Sequence, residues 1–406
     1  MIKGYFWYPV IAAAVGTLVV ASFWFDFFSD WEHRIEDLLS VPKVARSEAV
    51  IVAIDNESIQ KLGQWPFPRA TFARAFENLN DSPPLAVGLD VMFSEPSRFG
   101  VADDAVLAAA LAGAAYPIVL PVEATLKNLE QATAAAAISP LSGFVSAPRV
   151  VLGHVNLSVD SDGVTRRLPL FVTFQDQKFS SFAEAVVLAA GLPTPSFEER
   201  AVVERVVFSG YPGAVRRIPF WRLVLEDGVA AGLAGKLVFI GATAPDLHDE
   251  QLVPVSRGVA MPGVEIQVNI ADMFVSGYRL RRMEWLYNFI WIMIAAVLPA
   301  VLFITTRRSL QAAAFNFMIG VVHLVAAIIF YEKGLAPNLL HINIAWVVST
   351  GALFGYRNFI GEREKRELEN TFSKYVSKEV LAHIIEDPSR VALGGEEKEI
   401  TLLFSD

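Results

Sequence analysis

The sequence predicts an extracytoplasmic α/β domain with a largely parallel sheet, four transmembrane α-helices and a cytoplasmic helix. Apolar residues make up 53% of the 406 residues, which is high for a water-soluble protein. Four stretches of about 20 residues carry no charged side chain, and a helix of that length crosses a bilayer. Between the first two stretches, short runs of Val, Ile and Leu end in polar residues, a pattern typical of buried parallel strands.

The net charge and the cysteine content limit the partners and metal sites that this protein can have. The formal net charge is −9, and Lys and Arg form only short groups near the apolar stretches, so no nucleic-acid partner is expected. The chain has no cysteine, which excludes disulfide bonds and thiolate metal sites. Cysteine usage therefore does not decide between an oxidising and a reducing compartment.

The apolar stretches divide the chain into eight predicted segments. They are a cytoplasmic N-terminus at 1–4, transmembrane helix 1 at 5–25, an extracytoplasmic domain at 26–284, transmembrane helices 2 to 4 at 285–306, 309–331 and 334–356, a cytoplasmic signalling helix at 357–394, and the start of a further domain at 395–406. A cleaved signal peptide is the alternative for the first stretch, since Lys3 precedes it. Its apolar run exceeds the usual length of about 7 to 15 residues, and the aromatic residues around Trp24 are typical of a membrane interface.

Basic residues predict the orientation of these helices. Six of them lie at the ends expected to be cytoplasmic, namely Arg307, Arg308, Arg357, Arg363, Lys365 and Arg366. Positive charge gathers on the cytoplasmic side of short loops, so the N-terminus is expected inside and residues 26–284 outside. Arg279, Arg281 and Arg282 fall on the opposite side. The reverse orientation would place the six residues outside, which fits the rule less well.

Four polar residues lie in or near the last three apolar stretches. They are Asn316, His323, His341 and Asn343. Such residues either form an ion or proton pathway or make hydrogen bonds between packed helices, and the second interpretation is the more common one.

The extracytoplasmic domain contains three clear strand signals. They are AVIVAID at 49–55, LAVGLD at 85–90 and KLVFIGAT at 236–243, with shorter strands expected at 149–157 and 202–208 to extend the sheet. Helical patterns at 69–79 and 102–112 provide crossovers between parallel strands. The Ala-rich segment 105–120 is interrupted by Gly113 and Pro117, which favours a helix and then a strand over a membrane span.

Polar residues at the strand ends form a candidate ligand site. Asp55, Asp90 and Thr243 each end a predicted strand, and ligands of open α/β sheets bind beyond the carboxyl ends of the strands. We expect Asp55 and Asp90 to end neighbouring strands and repel each other unless a cation, a basic side chain or a proton intervenes. Alternatively, these carboxylates cap helices or fix loops.

Several segments together resemble a known family. VAIDNESI, KLGQWPFPRATFA, VGLDVMFSEPS, FIGATAPDLHDEQLVP and MPGVEIQ occur in this order. They are similar to the CHASE type 2 extracellular sensor domain over most of residues 30–280. The resemblance implies a periplasmic sensory module followed by three membrane helices in a bacterial inner membrane, with an unknown extracytoplasmic ligand. Trp65, Arg69 and Asp246 lie in these segments and are candidate pocket residues, although a Trp beside two prolines, as Trp65 is, also fits a loop plug.

The residues after Arg357 predict an amphipathic helix. Apolar side chains recur at three- and four-residue steps, at Leu368, Phe372, Tyr375 and Val376. Such a stripe can pair two protomers and pass a movement inward from the last membrane helix. A solvated linker is the alternative.

The last 32 residues resemble the start of class III adenylate and guanylate cyclases. YVSKEVLAHIIEDPSRVALGGEEKEITLLFSD has that family's helix, proline turn, Gly-Gly pair and strand ending in an aspartate. The resemblance implies that Asp406 is the first metal ligand for two Mg²⁺ or Mn²⁺ ions, that ATP or GTP is the substrate, and that the protein is a homodimer. Because the family's other catalytic residues would follow Asp406, we expect the 406 residues alone to be inactive and to belong to a longer protein.

Two other classes of function compete with a receptor cyclase. One is a non-enzymatic membrane sensor module whose effector is another protein such as a kinase, because CHASE type 2 domains are also attached to kinases. The other is a transporter, which a large soluble insertion and only four spans disfavour.

Overall fold

The structure is a computed structural model that describes residues 6–43, 45, 47–129, 131–194, 202–306, 308–372 and 401. Its helices are α1 Trp7–Trp24, α2 Ser29–Leu39, α3 Asn56–Leu62, α4 Arg69–Asn80, α5 Val101–Ala112, α6 Ser142–Val145, α7 Phe182–Ala189, α8 Phe220–Leu225, α9 Gly263–Ser276, α10 Trp285–Thr305, α11 Ser309–Glu332 and α12 Leu339–Phe372. Short 3-10 helices span Val229–Leu233 and Pro245–Leu247.

The strands are mostly short. They are β1 Ala49–Ile54, β2 Ala86–Asp90, β3 Ile118–Asn128, β4 Thr133–Ile138, β5 Val150–His154, β6 Ser158–Val159, β7 Thr165–Pro169, β8 Phe171–Phe174, β9 Gln177–Ser180, β10 Val203–Arg205, β11 Arg217–Pro219, β12 Leu237–Ala242, β13 Glu250–Gln251, β14 Met261–Pro262, β15 Arg281–Arg282 and β16 Leu335–Ala336. The chain divides into two compact units. One comprises Phe28–Met283 with Ala327–Leu339, and the other contains the long apolar helices.

The larger unit contains a nine-stranded, largely parallel sheet. Its order is β11-β1-β12-β2-β3-β4-β8-β9, and β5 also pairs with β3. The strands from β11 to β3, together with β5, run parallel, and β4 pairs antiparallel with the second half of β3. The prediction of a largely parallel α/β sheet is therefore confirmed.

Alternate residues of each central strand pack on opposite faces of this sheet. Val50, Val52 and Ile54 of β1 face a core formed with α4, α5 and α8. Ile51 and Ala53 face a second core formed with α7 and α9. Both faces are covered, which explains why these strands read as continuous apolar runs.

The predicted strand at 202–208 was placed in the wrong sheet. β10 pairs antiparallel with β7, in a separate three-stranded sheet with β6. It carries Glu204 and Arg205, whose charges do not suit a sheet that is buried on both faces. These side chains instead form ion pairs with Arg279 and Glu36.

The other unit contains four helices that are long and apolar enough to cross a membrane. These are α1, α10, α11 and residues Leu339–Ile360 of α12. Val15 and Val19 of α1 pack against Ile292 and Ala296 of α10. Strand β16 occupies part of the segment predicted to start the last span, so α12 begins at Leu339, and it continues without interruption to Phe372.

Several polar residues in this unit make hydrogen bonds to neighbouring groups, whereas His323 Nε2 has no hydrogen-bond partner among the described residues. The ring of His341 lies 3.3 Å from Ser22 Oγ on α1, and Trp346 Nε1 donates to the Asn316 carbonyl oxygen at 3.2 Å. The Asn316 amide donates to the Ala312 carbonyl within its own helix. These contacts favour helix packing over an ion pathway.

Candidate sensor cavity

A cavity of about 520 Å³ lies at the carboxyl end of β2. The loop from β2 to α5 forms one wall, and the loop before α4 forms another. The lining consists of residues 65–67, Arg69, Phe72, 90–99 and Ala242. This volume is in the range of small-molecule sites, and the position at strand ends is where open α/β sheets bind ligands.

Aromatic side chains form much of the cavity wall. Trp65 packs edge-on against Phe67, with ring centroids 5.2 Å apart, and Phe72 packs edge-on against Phe93 at 5.1 Å. Phe67, Phe72 and Phe93 are buried, whereas Trp65 is half-buried and belongs to both the core and the cavity lining. The three buried rings therefore hold a rigid apolar wall, with Trp65 at its edge.

Two arginines fasten the β2–α5 loop to the segment before α4. Arg69 donates to the Glu95 carbonyl oxygen at 3.2 Å, and its guanidinium lies 4.0 Å from the Phe93 ring centroid. Arg98 donates to the Pro66 carbonyl oxygen at 3.0 Å. The ion-pair partner of Arg69 is Asp104, 3.5 Å away.

An aspartate near the start of α5, Asp103, holds the same loop in place. Asp103 accepts hydrogen bonds from the backbone N–H groups of Arg69 and Ala70, at 2.8 and 3.0 Å, and from Ser97 Oγ at 2.5 Å. It therefore caps α4, whose own N-cap position is a proline without a side-chain acceptor. Hydrogen bonds to these groups and the nearby Arg69 hold the pKa of Asp103 below its usual range, although burial opposes this.

Asp90 is the carboxylate at the base of the cavity. It is half-buried and lines the cavity, and burial together with the negative charge of Asp249 raises its pKa to about 7. Burial and the charge of Glu250 raise the pKa of Asp249 to about 6. Asp90 and Asp249 therefore lose their protons at a higher pH than free aspartate side chains do.

Two glycines allow α9 and Asp249 to approach the end of β2 closely. A Cβ atom on Gly241 of β12 would lie 3.2 Å from Asp90 Cβ and 2.7 Å from Val264 Cβ. A Cβ atom on Gly263, the first residue of α9, would lie 2.6 Å from Asp249 Oδ1. Larger residues at these positions would push α9 and Asp249 away from the end of β2.

The structure separates the residues predicted to share the crevice. Trp65, Arg69 and Asp90 line the cavity, whereas Asp55, Thr243 and Asp246 do not belong to its lining. The expectation that Asp55 and Asp90 end neighbouring strands is wrong, because β12 lies between β1 and β2. Asp55 instead accepts a hydrogen bond from the Ser58 backbone N–H at 2.8 Å and caps α3.

Thr243 and Asp246 have local environments of their own. The Thr243 backbone N–H donates to the Ile54 carbonyl oxygen at 3.0 Å, which extends the pairing of β12 with β1. Asp246 is exposed on the 3-10 helix Pro245–Leu247.

Sequence reasoning missed Asp249 and the aromatic wall. Asp249 follows no strand directly, so the strand-end pattern did not mark it. Phe93 and Phe99 lie in VGLDVMFSEPSRFG, where two aromatic residues in a polar loop were the available signal. An aromatic side chain in a polar loop is stabilised when it packs against other apolar groups, as Phe93 does in the cavity wall.

The predicted cytoplasmic site lies outside the described side chains. Asp406, Tyr375 and Val376 are not among the described residues, and for Leu368 and Phe372 the structure describes only their place in α12. In the described part of the chain, no three His, Asp or Glu side chains cluster as metal ligands.

The comparison with protein families identifies the family of the larger unit and of some of the long apolar helices. The model of the CHASE2 domain matches residues 12–302, which is more than half of the chain. No curated protein and no solved structure matches. The CHASE2 domain is a sensor domain of membrane receptors. With a matching α/β unit and four apolar helices, this chain belongs to the CHASE2 domain family.

Proposed function

We propose that the chain is the sensor and membrane portion of a receptor-type class III adenylate cyclase. A small extracytoplasmic molecule binds in the cavity at the end of β2 and changes the rate at which the effector converts ATP to cyclic AMP. The observation that carries the sensor part is the cavity itself, with a carboxylate at its base and aromatic walls.

The construction of the cavity supports a binding role. Its walls are two loops held by Arg69, Arg98 and Asp103, so the lining is largely pre-formed. Pre-formed sites bind more tightly because less ordering accompanies binding. Loops on a rigid sheet are also where binding sites concentrate.

Two features support the cyclase as effector. The sequence at 375–406 resembles the start of class III cyclases, and Asp406 takes the position of their first metal carboxylate. Mg²⁺ prefers such oxygen ligands and would activate the ribose 3′-hydroxyl and neutralise the α-phosphate. In addition, α12 runs unbroken from the apolar residues after Leu339 to Phe372, which gives a rigid connection toward that segment. Pairing of two such helices in a homodimer is part of the proposal.

The test uses the complete reading frame that contains these residues, expressed in a bacterial strain without its own adenylate cyclase. We expect cyclic AMP to accumulate, Asp406→Ala to abolish it, and Asp90→Asn to keep the basal level while changing its response to growth medium or periplasmic extract. Wild-type protein in the membrane without cyclic nucleotide formation would contradict the cyclase. A kinase domain encoded after Asp406 would favour the alternative receptor class.

A further inference from the structure

Asp90 has no hydrogen-bond donor among the described residues. No described residue donates to its carboxylate, and its pKa is raised to about 7 by burial and by Asp249 alone. Asp90 is half-buried, so its carboxylate has lost part of its hydration, and a hydrogen bond compensates for that loss. A carboxylate that faces a cavity under these conditions is a site where a ligand supplies the donor.

The basic side chains of the cavity are engaged elsewhere. Arg69 is paired with Asp104 and hydrogen-bonded to Glu95, and Arg98 is an exposed residue hydrogen-bonded to Pro66. Arg69 is therefore not a partner of Asp90. The described cavity lining supplies no donor to the Asp90 carboxylate.

Charge and wall chemistry both favour a positively charged donor. In the cavity lining, the carboxylates of Asp90 and Glu95 stand against the guanidinium groups of Arg69 and Arg98. Both arginines are engaged by other groups, which leaves the half-buried Asp90 carboxylate without a described cationic partner. Aromatic rings attract cations, and Trp65 is the half-buried ring of this wall. An anionic ligand would face the unpaired Asp90 carboxylate at close range.

We infer that the cavity binds a small organic ammonium ion, with the ammonium group on Asp90 and the apolar body against Trp65 and the apolar lining beside it. The inference rests on the proposed sensor function and names the ligand class of the same site. A volume of about 520 Å³ accommodates a bicyclic or larger body beside the ammonium group.

The first test varies the ligand and leaves the protein unchanged. The full chain in lipid nanodiscs is titrated by calorimetry with tryptamine, tryptophol and indole-3-acetate, and a second series uses phenethylamine, phenylethanol and phenylacetate. Each series keeps one ring and changes an ammonium to a hydroxyl or a carboxylate. At about pH 8, where Asp90 is mostly ionised, we expect the ammonium member of each series to bind about ten-fold or more tightly than the others.

The second test compares two carboxylates of the same cavity. Asp90→Asn should weaken ammonium binding by about ten-fold or more, whereas Glu95→Gln, which removes a charge from an exposed lining residue, should change it less than about three-fold. Thermal unfolding of each variant establishes that it is folded. Because the ligand series on the wild-type protein needs no variant, the inference remains testable if Asp90→Asn unfolds.

Several results would overturn the assignment. In the ligand series, these are tighter binding of the carboxylate members, equal binding of all members, or no ammonium binding at millimolar concentration. Displacement of the ammonium ligand by Mg²⁺ or Ca²⁺ would indicate a metal site instead. Unchanged ammonium binding by Asp90→Asn would show that Asp90 is not the binding group. None of these results bears on cyclic AMP synthesis. Failure of this ligand class is thus distinguishable from failure of the proposed receptor cyclase, which cyclic AMP accumulation and its loss in Asp406→Ala test separately.

Discussion

Asp55 and Asp90 show how one sequence pattern leads to two different environments. Each follows an apolar strand, but the chain after Asp55 turns into α3, so Ser58 presents its N–H to the carboxylate. After Asp90 the chain enters the loop that forms the cavity wall. Among the described residues no N–H donates to Asp90, and its half-buried carboxylate is near the negative charge of Asp249.

This environment predicts that Asp90→Asn stabilises the ligand-free protein near neutral pH. The folded-state pKa of about 7 is above the ordinary value of 3.8, so the folded protein binds the proton more tightly than the unfolded chain does. The stabilisation from this proton is therefore complete below about pH 4 and lost as the pH rises through 7. Asn avoids the loss, and the gain has an upper bound of about 4 kcal/mol at pH 8.

The measurement is the thermal unfolding temperature of wild-type and variant protein between about pH 5 and pH 8. The difference between the two should grow with pH. Asp55→Ala is the comparison, since it removes a helix cap and should destabilise by about 1 kcal/mol at all these pH values. A lower unfolding temperature for Asp90→Asn at pH 8 would mean that the carboxylate has a donor in the folded protein.

At the scale of secondary structure, a buried arginine joins α2 to the small sheet of β6, β7 and β10. Arg166 of β7 is 1% exposed. Its guanidinium donates to Asp37 of α2 and to Asp160 and Asp162 of the β6–β7 turn, at distances of 2.6 to 3.2 Å. Hydrogen bonds to Arg166 lower the pKa of Asp162 to about 2. One side chain thus satisfies three carboxylates.

Further contacts within this unit join the chain segments around the apolar helices. Glu36 of α2 forms ion pairs with Arg205 and Arg282, and Tyr331 Oη lies 2.9 Å from Ser40 Oγ. Strand β15 pairs in parallel with β16. Arg282 is one of the basic residues before α10 that opposed the predicted orientation. It has an acidic partner in Glu36.

We predict that Arg166→Gln destabilises the larger unit by about 3 to 5 kcal/mol, because it removes the shared partner of three carboxylates and leaves Asp37 with only the more distant Arg205, 3.4 Å away. Arg167→Gln is the matched control. Arg167 also binds Asp160, but its side chain is 46% exposed, so its loss should cost about 1 kcal/mol or less. Thermal unfolding followed by circular dichroism measures both. Equal effects would show that burial of Arg166 does not determine its contribution.

At the scale of the whole molecule, we predict that four apolar helices divide the chain between two sides of a membrane. The helices α1, α10, α11 and α12 have the length and composition for this. The loop between α10 and α11 is short and basic, and the segment between α1 and α10 is the long α/β region. If all four helices cross, these two segments are expected on opposite sides.

Reporter fusions test this arrangement. Alkaline phosphatase, active only outside the cytoplasm, should be active when fused after Gly191 and inactive when fused after Ser309. Green fluorescent protein at the same positions should give the complementary result. Two fusions that both report the cytoplasm would contradict the topology, and the reversed pattern would show that Arg279, Arg281 and Arg282 determine the orientation.

The sequence by itself determined the fold class, the four apolar helices and the family resemblance. Hydropathy and strand patterns are local, so β1, β2 and β12, and the helix and strand after Ala105, were predicted close to their observed bounds. Trp65, Arg69 and Asp90 were also found, because they lie next to strand and helix ends that such patterns locate.

Only the tertiary structure decided which residues meet. The order β1-β12-β2 separates Asp55 from Asp90 and brings Asp249 to Asp90 from about 160 positions along the sequence. The same holds for Arg166 and Asp37, which lie 129 positions apart. Strand order and long-range ion pairs depend on how whole elements pack, and the free energy of packing is shared among many residues, so no local pattern records it.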